Sequence, residues 1–259
     1  MGNRLLVDIV RHGRTPLNER GIIQGSSDRD EDGNVIGLSE FGKLQVGCLC
    51  DALRAEGYDR ILASPLTRVI QSAEALRDAV KGSPKIEIFH ELTERDVGRY
   101  THHQYKKIEL YGHPSIVTFL THLEDPEDTN LNPNITPKPG VGPGQRLRAV
   151  IEQTRSFYHS LLSGGENGRV LIVTSDVRTQ YLIGEILGVR RKARIPQHNC
   201  AINRILIYWP DVGARADPFV DVQVLNYTEH LKDLFLRTFG TEDSTGFSIP
   251  GPFSSPRDG

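Results

Sequence analysis

The residues best suited to chemistry lie in Arg11-His12-Gly13, directly after an apolar run over 5–10. Such a run is typical of a buried strand, so the tripeptide is expected at a strand end. Arginine offers a planar fork that suits phosphate oxygens. Histidine can act as a nucleophile if its other ring nitrogen is held by a hydrogen bond. Gly13 can adopt a positive φ and lets the backbone approach a ligand closely. The tripeptide alone is a weak signal, because a solvated strand exit can contain the same residues.

Polar residues that could bind or act on a ligand also follow three further predicted strands. They are Ser64 and Arg68 after 60–63, Glu94 and Arg95 after 85–89, and Ser175 and Asp176 after 170–174. Ligands of open α/β sheets bind beyond the carboxyl ends of the strands. We therefore expect Arg11, His12 and these later residues to converge on one cavity.

Strands and helices alternate along the chain. Strands are predicted over 5–10, 60–63, 85–89, 170–174 and 202–208, with an edge strand over 219–225, and helices over 39–55, 65–79, 146–162, 178–187 and 231–239. A polar, glycine-containing stretch over 28–37 is expected to form a loop. The alternation predicts an α/β fold of three layers, in which helices cover both faces of a mixed, mostly parallel sheet.

Composition limits the class of protein. The chain has 259 residues, a formal net charge of -2 and a pI near 6.5, which argues against a general nucleic-acid-binding surface. Its apolar runs are too short to span a membrane, and its first residues lack the features of a signal peptide. Three cysteines are too few for a disulfide framework. We therefore expect a cytoplasmic protein without a membrane or nucleic-acid partner.

The domain organisation is predicted from where the motifs and the polar segments fall. The motifs are spread over most of the chain and must converge, which favours one domain over 1–240. The segment 124–145 is rich in Pro, Asn, Asp and Gly and is expected to form a loop or lid insertion. The segment 241–259 turns to Gly, Ser, Pro and Asp and is expected to be a flexible tail.

Taken together, the motifs resemble the histidine phosphatase superfamily, the phosphoglycerate mutase-like proteins. The resemblance covers roughly 4–208 and rests on four segments in the family's order, at 11–15, 63–68, 92–95 and 170–174. It implies a phosphoglycerate mutase-like fold and a phosphohistidine formed at His12. It further implies that Glu94 is the general acid and base, that Arg11 and Arg68 clamp phosphate, and that neither a metal nor a cofactor is needed.

Further contacts to phosphate or substrate are expected around these four residues. The candidates are Arg14, Thr15, Asn18, Gln24, Gly25, Arg95, Tyr105, Asp176 and His198. The mutases of the family carry a tyrosine and a lysine where this chain has Val97 and Tyr105, so a glycolytic mutase is not expected. We expect a small-molecule substrate, phosphorylated or carboxylated, and leave a homodimer open.

The fourth segment departs from the family pattern at Ser175. The resemblance implies a histidine there that stabilises the transferring phosphoryl group. Serine can donate only a neutral hydrogen bond, and charge stabilisation is often the largest catalytic effect. Three functions therefore stay open: an impaired phosphomonoester hydrolase, an acid–base enzyme (isomerase, lyase, dehydratase or cyclase) acting on an organic acid or metabolite, and a catalytically inactive phosphate-site binding protein. Ser175 can equally be a tolerated or introduced replacement.

Overall fold

A computed structural model of the protein describes residues 3–104, 144–145, 147–163, 167–189, 197–209 and 218–240. Tyr105, all but the last two residues of the predicted 124–145 insertion, and the predicted tail over 241–259 lie outside the described residues. The division into one domain and a tail therefore stays a prediction.

Six strands form one sheet with the order β3-β2-β4-β1-β5-β6. They are β1 (Arg4–Arg11), β2 (Arg60–Ala63), β3 (Ile86–Ile88), β4 (Gly168–Thr174), β5 (Ile202–Tyr208) and β6 (Phe219–Tyr227). The first four strands are parallel to one another, and β5 runs antiparallel to both of its neighbours. This confirms the predicted mixed, mostly parallel sheet, and the predicted edge strand is β6.

Helices follow most of the strands, as predicted. They are α1 (Pro16–Glu19), α2 (Glu40–Leu53), α3 (Thr67–Ala79), α4 (Leu147–Ser163), α5 (Asp176–Ile186) and α6 (Lys232–Phe239). Single 3₁₀ turns occur at His90–Leu92, Gly98–Tyr100 and Glu229–Leu231. Within the described ranges, each helix is too short or too polar to cross a lipid bilayer.

Two apolar cores lie on opposite faces of the sheet, because neighbouring side chains of a strand alternate between its faces. On β1, Val7 and Ile9 are fully buried in the core formed with α4 and α5. Val10 is fully buried in the other core, with α2, α3 and α6. This arrangement confirms the three layers. It places β1 in the interior of the sheet, between β4 and β5.

Asp8 interrupts the apolar run of β1 and is completely buried. Its carboxylate accepts two hydrogen bonds from Arg204 of β5, at 2.8 and 2.7 Å. It also accepts one from the Tyr58 hydroxyl at 2.5 Å. A buried charge is tolerated only when it is paired and hydrogen-bonded, and these partners meet that requirement.

We expect Tyr58→Phe to destabilise the protein by about 1.5–3 kcal/mol, the usual contribution of a hydrogen bond to a charged group. The ring and its packing remain, so the loss reports the hydroxyl bond to Asp8. The measurement is the free energy of unfolding in urea. Tyr208→Phe, a change at a partly exposed ring on β5, is the control. Equal stabilities of Tyr58→Phe and the unmodified protein would contradict the prediction.

Candidate active site

A cavity opens at the carboxyl ends of the parallel strands, where the sequence predicts it. Arg11 ends β1, Arg68 lies in the first turn of α3, and Asp176 begins α5 directly after β4. The lining residues are Arg11, His12, Asn18, Ile22, Ile23, Gln24, Gly25, Arg68, Glu94, Val97, Asp176 and Val177. Motifs far apart in the chain thus meet at one place.

His12 lines this cavity, and hydrogen bonds to its backbone N–H and carbonyl hold it in place. Its backbone N–H donates to the Thr174 carbonyl of β4 at 3.0 Å, and its carbonyl accepts from Asn199 Nδ2 at 2.9 Å. Its ring Nδ1 lies 2.7 Å from the Gly13 carbonyl oxygen. A carbonyl can only accept, so the proton is on Nδ1 and the lone pair of the neutral ring is on Nε2.

The imidazole of His12 is kept neutral by its surroundings. Burial lowers its pKa well below the ordinary 6.5, and the charges of Arg68 and Arg11 lower it further. The hydrogen bond to Gly13 acts in the opposite direction but is the smaller effect. A neutral ring with a defined tautomer is the state in which histidine is a nucleophile.

Gly13 is needed for packing rather than for an unusual backbone. Its φ is not positive, so the freedom of glycine to adopt that conformation is not used here. A Cβ at this position would lie 2.5 Å from the carbonyl oxygen of Gly42 and 2.8 Å from Val46 Cγ2, both in α2. Its N–H donates to Ser72 Oγ of α3 at 3.3 Å. Close contact with α2 and α3 therefore explains the glycine.

Two arginines supply positive charge, of which Arg68 is buried and Arg11 is partly exposed. Arg68 is 1% exposed and donates to the carbonyls of Ser27 at 2.9 Å and Gly25 at 2.7 Å. Burial lowers its pKa to about 10. Arg11 donates from Nη1 to the Gln197 carbonyl at 2.5 Å. The Nε atoms of both arginines are buried without a hydrogen-bond partner among the described residues. Unsatisfied buried donors are costly, and an anion in the cavity would relieve that cost.

Glu94 is buried, and its carboxyl group contacts the N-terminus of α5. Its two oxygens accept from the backbone N–H groups of Arg95 at 2.7 Å and Val177 at 3.1 Å. Burial raises its pKa above the ordinary 4.5, and the nearby charge of Asp176 raises it further. The bonds from Arg95 and Val177 and the charge of Arg178 act in the opposite direction. A carboxyl with a raised pKa is suited to donate a proton.

Ser175 and Asp176 differ in their relation to the cavity. Ser175 is 1% exposed and is absent from the cavity lining, and its hydroxyl has no hydrogen-bond partner among the described residues. Asp176 does line the cavity, and its Oδ2 lies 3.9 Å from Arg11 Nη1. Its other oxygen accepts from Gln180 Nε2 at 2.6 Å. The acidic neighbour, and not the serine, therefore faces the ligand space.

Comparison with known proteins settles the family. Residues 7–213 match the model of the histidine phosphatase superfamily, branch 1. The chain belongs to this superfamily. It is 27% identical over 203 residues to the probable phosphoglycerate mutase GpmB of Erwinia tasmaniensis, covering 78% of this chain and 84% of that protein. It is also 27% identical over 230 residues to a probable 2-carboxy-D-arabinitol-1-phosphatase of Arabidopsis thaliana, covering 86% of this chain and 42% of the relative.

Solved structures with low sequence identity share the fold. A mycobacterial glucosyl-3-phosphoglycerate phosphatase in complex with VO3 superposes with a TM-score of 0.65 at 18% identity, covering 87% of this chain and 100% of the other. A phosphoserine phosphatase of Entamoeba histolytica gives 0.61 at 19% identity, covering 88% and 99%. Family membership and these relatives support an enzyme of phosphoryl transfer.

Two arginines predicted to contact phosphate lie outside the cavity lining of this superfamily member. The Arg14 guanidinium packs over the rings of Phe41 and Phe235, 5.5 Å from each centroid. Attraction between the cation and the two rings explains this position. Arg95 donates from Nε to the Gln145 carbonyl at 3.2 Å.

Thr15 and His198, also predicted to contact the ligand, use their polar groups elsewhere. Thr15 Oγ1 accepts from the N–H of Asn18 at 3.1 Å, and Asn18 Oδ1 accepts from the N–H of Thr15 at 3.2 Å, which caps α1. His198 Nδ1 accepts from Asn226 Nδ2 at 2.7 Å. Asn18, Gln24 and Gly25 do line the cavity, as the resemblance implies.

Several residues that build the site were not predicted. Asp28 accepts from both the N–H and the hydroxyl of Thr67, at 2.8 and 2.7 Å, and so caps the helix that carries Arg68. Ile22 and Ile23 form part of the apolar wall. An aspartate ahead of a helix is a recognisable cap only when the two are adjacent in sequence, which is not so here. Within the described ranges, no group of three or more His, Cys, Asp or Glu side chains is arranged to hold a metal ion.

Proposed function

We propose that this histidine phosphatase hydrolyses phosphate monoesters through a phosphohistidine at His12. The observation that carries the proposal is the contact of 2.7 Å between His12 Nδ1 and the Gly13 carbonyl. It leaves the lone pair on Nε2, in a ring that burial and two arginines keep neutral. His12 is therefore prepared to attack phosphorus without first losing a proton to a base.

In the first step, Nε2 of His12 forms a bond to phosphorus while the bond from phosphorus to the ester oxygen breaks. Glu94, in its protonated form, gives its proton to the departing alkoxide, so the product leaves as an alcohol. Arg11 and Arg68 are the positive charges that line the cavity among the described residues, and they stabilise the charge on the phosphoryl oxygens.

In the second step, water replaces the histidine. Glu94, now a carboxylate, takes a proton from the water as its oxygen bonds to phosphorus. The bond between phosphorus and Nε2 breaks, and inorganic phosphate is released. Glu94 ends protonated and His12 ends neutral, so the cycle closes without a further proton donor. The hydrogen bonds that Glu94 accepts from two backbone N–H groups would hold its side chain in place through both steps.

The direct test is hydrolysis of a generic aryl phosphate by the purified protein, with release of the aryl alcohol and phosphate in equal amounts. A phosphohistidine trapped by acid quenching during turnover would support the covalent route. Failure to hydrolyse any of a broad panel of phosphate monoesters would overturn the proposal.

We expect kcat/KM to pass through a maximum between the ionisation of His12 and that of Glu94. Activity should fall towards low pH as His12 gains a proton, with a midpoint well below pH 6.5, because its pKa is lowered. It should fall towards high pH as Glu94 loses its proton, with a midpoint above pH 4.5, because its pKa is raised. The measurement is kcat/KM for an aryl phosphate across this range.

Two variants identify the alkaline limb of that profile. Glu94→Gln should lose the limb, because the amide does not titrate. Glu91→Gln, a change outside the cavity lining, should retain it. The substrate ionises in the same way in both experiments. A difference between the two pH profiles therefore reflects an ionisation of the enzyme. An unchanged alkaline limb in Glu94→Gln would remove Glu94 from the role of acid.

A further inference from the structure

The carboxylate of Asp176 lies in a cavity that otherwise attracts anions. Its Oδ2 is 3.9 Å from Nη1 of Arg11, the same nitrogen that donates to the Gln197 carbonyl. Its side chain is only 21% exposed. At this distance, with little solvent between them, the aspartate cancels much of the attraction that Arg11 exerts on a ligand.

The charges that line the cavity nearly balance without a ligand. Arg11 and Arg68 contribute two positive charges and Asp176 one negative charge. His12 is neutral, because burial and the arginines lower its pKa. Burial and Asp176 raise the pKa of Glu94, which favours its neutral form. The described lining residues therefore carry about one net positive charge, or none when Glu94 is ionised.

Two further cations, Arg178 and Arg95, lie near Glu94 and donate hydrogen bonds to backbone carbonyls. The Arg178 guanidinium, on α5, donates to the carbonyls of Thr93 and Val150, each at 3.0 Å. Arg95 donates to the Gln145 carbonyl. Neither is a lining residue of the cavity. These hydrogen bonds go to backbone carbonyls outside the lining, and the charge of Arg178 acts on Glu94 by lowering its pKa.

We propose that Asp176 restricts the cavity to a phosphoryl group that carries a single negative charge. A monoanion balances the net charge of the lining residues, whereas a dianion leaves one negative charge that they do not compensate. The inference rests on the proposed function only in taking a phosphoryl group as the ligand. Two ligands offer the required charge: a phosphate monoester that has kept one proton, and a phosphate diester.

Equilibrium binding of phenylphosphonate tests the role of Asp176 without any turnover, because the bond from carbon to phosphorus is not broken by the proposed reaction. The ligand is mainly a monoanion near about pH 5.5 and a dianion near about pH 8.5, since second ionisations of this class fall between these values. Binding is measured by titration calorimetry in the Glu94→Gln protein, where Glu94 cannot titrate, with and without Asp176→Asn. Asparagine keeps an oxygen that can accept from Gln180.

With Asp176 present, we expect phenylphosphonate to bind about tenfold or more tightly at the lower pH. With Asp176→Asn, the preference for the lower pH should disappear or reverse, because the affinity for phenylphosphonate increases at the higher pH. Asp51→Asn, which removes the same charge from an exposed position on α2, should leave the preference intact. An equal pH dependence with and without Asp176, or no binding at either pH, would overturn the inference.

A second ligand distinguishes a protonated monoester from a diester as the source of the single negative charge. The monomethyl ester of phenylphosphonate is a monoanion at both pH values. Binding of this ester at the higher pH, as tight as that of phenylphosphonate at the lower, indicates a diester. Its exclusion, with the pH preference for phenylphosphonate retained, indicates a protonated monoester. Both results support the role of Asp176. A trapped phosphohistidine without the pH preference would leave the proposed function standing and this inference overturned.

Discussion

His12→Ala is expected to lower the hydrolysis of an aryl phosphate by about 10⁴-fold or more, as loss of the nucleophile does in other enzymes with covalent intermediates. No other described residue of the cavity lining combines a neutral, nucleophilic nitrogen with a fixed orientation. The measurement is kcat under saturating substrate, with the fold checked by thermal unfolding. Because His12 lines the cavity and belongs to neither apolar core, His12→Ala should leave a folded protein.

Acid quenching extends this test from rate to chemistry. Label from a ³²P-phosphorylated substrate should be trapped on the unmodified protein and be absent from His12→Ala. His90→Ala, which alters an exposed histidine in the first 3₁₀ turn, is the matched control and should trap label normally. A His12→Ala protein that keeps most of its activity would remove His12 from the role of nucleophile.

The sheet and the place of the cavity could be predicted because both depend on local patterns. Apolar runs of strand length mark β1 and β4, and the polar residues that follow them mark the end of the sheet where ligands bind. Arg11, His12 and Asp176 come to the cavity for this reason. Glu94 and Arg68 also line it, although their exact placement depends on loops.

The features that escaped prediction depend on contacts between distant parts of the chain. Arg14 follows the phosphate-binding motif and looks equally suited to a phosphate, but its guanidinium packs against the adjoining rings of Phe41 and Phe235. Phe235 belongs to the last described helix, so no local pattern could indicate this contact. Helix α1 is a different case, because Thr15 and Asn18 form a capping box that the sequence did show and that we did not use.

The contact between Glu94 and α5 illustrates how this chain holds the proposed acid in place without help from Ser175. A serine at the N-cap position often accepts a hydrogen bond from the first turn of the helix. Ser175 makes no such bond, and Glu94 accepts from Val177 instead. The helix terminus is therefore satisfied by the proposed acid, and the serine hydroxyl contributes little. The hydroxyl of Ser175 is therefore not needed to cap α5.

Ser175→His is expected to raise the hydrolysis of an aryl phosphate by about one hundredfold or more, if the serine is a degraded phosphatase position. That is the usual cost of losing one group that stabilises charge in the transition state. The backbone at Ser175 is extended, with φ -118° and ψ 175°, which a histidine adopts readily. The adjacent carboxylate of Asp176 would favour the protonated imidazole. The measurement is kcat/KM for the same aryl phosphate.

Ser175→Ala distinguishes the effect of an added cation from that of a lost hydroxyl. The hydroxyl has no hydrogen-bond partner among the described residues, so alanine should leave both activity and stability nearly unchanged. A large gain with histidine and none with alanine would show that the cavity still accommodates phosphoryl transfer and lacks only charge. If Ser175→His folds and binds phosphonate but gains no activity, charge at this position is not what limits the reaction. Ser175 and Asp176 would then belong to a different chemistry, and the acid–base alternative on an organic acid would take the place of ester hydrolysis.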